Sequence, residues 1–160
     1  MEERKRDENI NSPEIQEQRR IFPAEFSSLD AIRNFVGQAA ESCLFDPDDV
    51  YRIQMAVDEA FSNIVEHAYS GEPEENVECI CCLMPAHLSI ILTHHGRPFD
   101  PDQVKGPPLN ASLKERKRGG LGLFFMRKWM DEVRFDVIPE PGRNHPRNVL
   151  TMTKRRETGG

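Results

Sequence analysis

The stretch from Asp46 to Tyr69 constrains this chain most, because one helix there must serve two different neighbours. Asp46-Pro47-Asp48-Asp49 is a strong helix start: Asp46 can cap, Pro47 fits the first helical position, and the acids suit the dipole. Ser70-Gly71 and then Pro73 stop it, so the helix is predicted to run to about Tyr69. Val50, Ile53, Val57, Phe61, Ile64 and Ala68 recur at helical spacing and form an apolar stripe that needs a sheet to pack on. Glu59, Asn63, Glu66 and His67 form a second stripe, because positions three and four apart stack on one side. A carboxylate one turn from an amide can orient or deprotonate an attacking hydroxyl while the amide oxygen ligates Mg²⁺, a hard ion that prefers oxygen. On spacing alone, the same residues would more often make a solvated helix face.

The flanking pattern supplies the sheet. RRIFPA reads as a short opening strand, and Ser27 or Ser28 caps a helix whose Leu29, Ile32, Phe35, Val36 and Ala39 share a face and which ends near Cys43. Residues 76 to 84 and 87 to 94 are two apolar runs separated by Pro85-Ala86, a hairpin spacing. A helical pattern from Leu121 to about Met130 follows a Pro- and Gly-rich stretch, and VRFDVI and NVLTMTK close the chain as two strands. Three helices and roughly five strands in this order predict an α/β two-layer sandwich, with the helices on one face of a mostly antiparallel sheet.

A chain of 160 residues fits one domain. Residues 1–18 are expected to be a flexible charged tail, 19–154 the domain and 155–160 a second tail. The first twenty residues lack the apolar core of a secretory signal, and no apolar run approaches bilayer length, so the expected location is cytoplasmic, without a membrane. A net charge of −6 argues against direct binding to a nucleic-acid backbone. In VECICCLM, strand alternation turns Cys79 and Cys81 to one face and Cys82 to the other, which disfavours chelation and fits buried thiols in a reducing compartment. Adjacent His94 and His95 likewise point to opposite faces, so they do not make a metal pair.

Two more segments bear on the polar stripe. HHGRPFDP places Gly96 directly after a predicted strand, where a missing Cβ permits close approach of a ligand. RGGLGLFFMRKWMDEV places Gly119, Gly120 and Gly122 at a helix start, where free backbone N–H groups and the dipole favour phosphate. Each alone reads as an ordinary turn or helix boundary. The basic cluster KERKR before the second segment reads either as a solvated loop or as a phosphate-facing one.

Taken in order, DEAFSNIVEHAY resembles the N box, GRPFDP the first glycine box and GGLGLFFMR the second glycine box of the GHKL (Bergerat-type, histidine-kinase-like) ATPases. The closest style of all three is that of the bacterial anti-sigma-factor serine/threonine kinases, over about residues 20 to 154. The resemblance implies ATP and Mg as cofactors. It implies that Glu59 activates the hydroxyl receiving the γ-phosphoryl group, that Asn63 coordinates the Mg²⁺, and that His67 braces the helix near the nucleotide. Gly96, with His94 and Phe99 beside it in the same box, would lie at the adenine, and Thr151 matches a last-strand position that often approaches the base. The loop from Asp102 to Arg118 would form the lid, with Arg116 and Arg118 offsetting phosphate charge, and Gly120, Leu121, Gly122 and Leu123 would cradle phosphate. Implied partners are a small anti-sigma-factor antagonist of the STAS type as substrate and an RNA polymerase sigma factor as captive; several members are homodimers.

One position departs from the pattern. Members carry Asp two residues before the glycine, where it accepts a hydrogen bond from the adenine amine, and here that position is His94. A neutral imidazole accepts one hydrogen bond and a charged one accepts none. Leaving the amine unpaired would cost about 1–3 kcal/mol. The alternative is a nucleotide-deficient interaction module of the same fold, since fold alone does not secure activity.

Overall fold

In the computed structural model the described residues are 15–68, 75–96 and 126–157. The sheet is built on alternation. In β2 (Asn76–Leu83) and β3 (His87–His94) every second residue is buried: Val77, Cys79, Cys81 and Leu83, then Leu88, Ile90, Leu92 and His94. The two pair antiparallel with Cys81 opposite Ile90, so the two buried sets lie on one side of the sheet. Pro85 and Ala86 make the turn, and the Met84 N–H donates to the His87 carbonyl at 3.0 Å. All four cysteines are free thiols; Cys79 and Cys81 are buried on the core side and Cys82 lies half-buried on the other, as alternation requires.

Three further strands complete an entirely antiparallel five-stranded sheet. β1 (Gln16–Pro23) lies on one edge beside β2, and β5 (Arg147–Arg155) separates β3 from β4 (Glu132–Ile138) on the other edge. β1 begins at Gln16, inside the segment expected to be a tail, because its residues complete the ladder with Cys81, Cys82 and Leu83. At the other end Arg155 still belongs to β5, and the Arg156 N–H donates to the Ala86 carbonyl at 2.8 Å.

The helices cover the core face. In α1 (Leu29–Ser42) Ile32, Val36, Ala39 and Ala40 are buried, and Leu29 and Phe35 pack at the margin. Ser28 stands at its N-cap position, but its hydroxyl donates to the Pro23 carbonyl at 2.8 Å instead of capping a helix N–H. Asp46 does cap α2 (Pro47–Asn63), accepting from the Asp49 N–H at 2.8 Å. Val50, Ile53, Val57, Phe61 and Ile64 of the predicted apolar stripe are all buried; the side chain of Ala68, its last member, lies outside the described residues. α1 and α2 touch closely at Gly37, where a Cβ would collide with Gln54. After Asn63 the α-helix gives way to a π-helical turn, Ile64–Ala68, where an unbroken α-helix was expected. The wider turn takes in an extra residue and rotates the downstream residues about the axis, a local device frequent at functional sites. Among the described residues of the third helical segment, α3 (126–129), Met126 is buried in the same core.

Candidate functional site

The polar stripe of α2 divides: Asn63 is brought against the core, Glu59 is half-buried, and Glu66, in the π-turn, is exposed. Asn63 is only 8% exposed, and its Nδ2 has no hydrogen-bond partner. A buried amide left unpaired costs free energy, so its retention asks for a partner that arrives from outside the fold. Rotating the amide by half a turn exchanges Oδ1 and Nδ2, so the unpartnered end can equally present oxygen to a cation.

Glu59 sits one turn earlier and is half-buried. Burial, then the neighbouring charges of Asp58 and Glu66, push its carboxyl above the ordinary glutamate range. A carboxylate raised in this way is a stronger base. Asp58 beside it is tied to α1 by Arg33 at 3.3 Å, which fixes this part of α2 from outside the site.

The end of β3 supplies a second group of polar atoms. His94 is 5% exposed on the core side of the sheet, with Gly96 buried just after it. The Gly96 N–H donates to His94 Nδ1 at 3.4 Å. Burial first, and the charge of His95 second, lower the His94 pKa from 6.5 to about 4, so the ring is neutral at physiological pH. His95 points the other way, and its Nε2 lies 3.1 Å from the Glu140 carboxylate. This separation of the two histidines is the one strand geometry requires.

The lowered pKa fixes a pH dependence. The unfolded chain takes up a proton on His94 near 6.5, whereas the folded chain holds none until about 4. The neutral ring's contribution is therefore complete above about 6.5 and is lost as pH falls through that window, up to about 3 kcal/mol. Denaturant melts of His94→Gln against wild type are expected to diverge in their pH dependence between those values, with the wild type alone losing stability to His94 protonation.

Asn148 is the residue that sequence reasoning missed. It lies directly opposite His94 in the β3–β5 register and is 6% exposed. The available signal was a polar residue at a core-facing position of NVLTMTK, two residues before Leu150. Thr151, the expected base contact, is corrected by the same register: Leu150 and Met152 are the buried residues, so Thr151 projects from the opposite face of the sheet beside Ile91 and Arg134. It does not share the core-facing side of the sheet with His94 and Asn148.

The backbone of His67 lies within the π-turn; its side chain, and Phe99, Arg116, Arg118, Gly120, Leu121, Gly122 and Leu123 as whole residues, lie outside the described residues. Among the described residues no group of three or more His, Cys, Asp or Glu could hold a metal. Mg²⁺ needs no such cluster, since it is commonly held by one or two protein oxygens together with substrate phosphates, and a single amide oxygen such as that of Asn63 could be one of them. Among the described residues no helix is long and apolar enough to cross a membrane.

The sequence pattern described as "Histidine kinase-like ATPase domain" matches residues 22–154. The serine-protein kinase RsbW of Bacillus subtilis (strain 168) is 30% identical over 136 residues, covering 82% of this chain and 81% of the relative. RsbW of Halalkalibacterium halodurans is 31% identical over 149 residues, covering 91% and 85%. An anti-sigma F factor of Oceanobacillus iheyensis is 29% identical over 114 residues, covering 70% and 74%. Among solved structures, a chain of the SiaB–SiaC complex from Pseudomonas aeruginosa superposes with a TM-score of 0.57 over 88% of this chain and 90% of its own, at 17% identity, a likeness of fold alone.

Proposed function

Because the chain belongs to the histidine kinase-like ATPase domain family, we propose that it is an ATP-dependent protein serine/threonine kinase of the anti-sigma-factor type. Its substrate is a small STAS-type antagonist, and its captive is a sigma factor, in the cytoplasm. The relatives named as serine-protein kinases and as an anti-sigma factor support this choice within the family. The observation that carries it is the pairing on α2: a buried amide with an unpartnered atom, one turn from a half-buried carboxylate whose pKa is raised.

In this reading Glu59 accepts the proton of the antagonist's hydroxyl. The hydroxyl oxygen forms a bond to the γ-phosphorus, the bond from that phosphorus to the bridging oxygen breaks, and ADP leaves. Asn63 would hold the Mg²⁺, and that ion would supply neutralisation of the phosphate charge. His94 and Gly96 border the base, and Phe99 belongs to the same box. Arg116 and Arg118 offset phosphate charge, and the backbone of Gly120, Leu121, Gly122 and Leu123 cradles the phosphates. Positioning and electrostatics do most of the catalysis in such a transfer.

Incubating the chain with γ-labelled Mg-ATP and a purified STAS-type antagonist should move label onto one antagonist serine or threonine. Phosphorylation should then prevent the antagonist from displacing a bound sigma factor. A second reading, an interaction module without nucleotide, draws on His94 in place of the family's acid. It predicts sigma-factor binding that is identical with and without Mg-ATP, and no label on the antagonist.

A further inference from the structure

The base-binding end of the site has lost its expected acceptor at His94, and a second buried acceptor faces the same side of the sheet. Asn148 stands across from His94 on the neighbouring strand, where opposed Cβ atoms lie about 4.5–5.5 Å apart. Its Nδ2 is ringed by carbonyls: it donates to Gly96 O at 2.8 Å, with Pro146 O at 3.4 Å and His94 O at 3.5 Å. Because all three neighbours are acceptors, the amide can sit only one way round, with nitrogen toward the turn. The oxygen is thereby fixed on the other side. Asn148 Oδ1 is buried and has no hydrogen-bond partner.

An unpaired buried carbonyl calls for a ligand that brings an N–H donor. His94 cannot answer the same donor, since a neutral imidazole has one acceptor nitrogen and here that nitrogen takes the Gly96 N–H. We propose that Asn148 Oδ1 accepts the hydrogen bond from the exocyclic amine of adenine, doing from β5 what the family's carboxylate does from the position of His94. This rests on the nucleotide site proposed above. The Nδ2 bond to Gly96 holds the turn after β3 against β5, so one side chain both shapes the base subsite and reads the base.

The test compares Mg-ATP with the Mg complex of purine riboside triphosphate, which differs only in lacking the 6-amino group. The wild type should bind ATP about 10- to 100-fold more tightly. Asn148→Ala should bind the two nucleotides equally. Asn148→Asp keeps an oxygen but loses the donor to Gly96, and it should retain the preference for ATP. Preference is a ratio within one protein, so a general loosening of the turn lowers both affinities and leaves the ratio unchanged. Equal wild-type affinities, a preference that survives Asn148→Ala, or its loss in both variants would overturn the assignment. A wild type that binds neither nucleotide would instead overturn the nucleotide site itself, and this inference with it.

Discussion

Glu59→Gln is expected to slow phosphoryl transfer to the antagonist by about 10²- to 10⁴-fold, the usual contribution of a positioned base, while ATP affinity stays nearly unchanged. Glutamine keeps the size and the hydrogen-bonding reach of the side chain but cannot take a proton. In the proposed site the two effects separate, because there the carboxylate acts on the incoming hydroxyl and other residues hold the nucleotide. Single-turnover transfer of labelled phosphate measures the first, and equilibrium titration the second. The same substitution should stabilise the fold slightly at neutral pH. Burial and the charges of Asp58 and Glu66 raise the Glu59 pKa, so its contribution to stability is fullest below the ordinary value of 4.5 and is lost as pH rises through its folded-state value. The Gln variant's advantage is therefore present at neutral pH and disappears in acid. A catalytic group whose removal stabilises its own helix is the pattern expected of a site maintained for function. Unchanged transfer in Glu59→Gln would remove Glu59 from the chemistry.

Asn63→Ala should weaken Mg-ATP binding by about 10- to 100-fold, the effect of losing one well-placed polar contact to a charged ligand. It should also reduce the difference between ATP with and without Mg²⁺, because in the proposed site the side chain acts through the metal. Stability of the protein without nucleotide should barely change, since the amide removed is one whose Nδ2 gains no bond within the fold. Titration of wild type and variant, each with and without Mg²⁺, together with a denaturant melt of each, reads all three. A large loss of stability with an intact Mg²⁺ dependence would make Asn63 a structural residue.

Much of this architecture was legible because its signals are local and periodic. The apolar, β-rich runs VECICCLM and HLSIILTH marked two strands, strand geometry separated Cys82 from its neighbours, and Asp46-Pro47 marked the start of α2. The π-turn after Asn63 was not legible, because 64–68 continues the helical spacing of α2 and no local residue signal distinguishes a π-turn from an α-helical one. The start of β1 was hidden for a related reason. Gln16, Glu17 and Gln18 are polar edge-strand residues that only the ladder with β2 makes extended.

The candidate site divides along the same line. Glu59 and Asn63 share a helix, so spacing alone brought them together. The cross-strand pair of His94 and Asn148 is separated by 54 residues, and only the register of β5 brings it together. A one-residue difference in reading that register is enough to send Thr151 to the wrong face, since strand side chains alternate.

The central claim is that α2 presents its amide and carboxylate to a nucleotide, and the melting temperature of the native chain with Mg-ATP tests it most directly. At about 100-fold excess over the dissociation constant the melting temperature should rise by about 5 °C or more, through mass action on the folded state. A melting temperature that does not move at any Mg-ATP concentration would contradict the account.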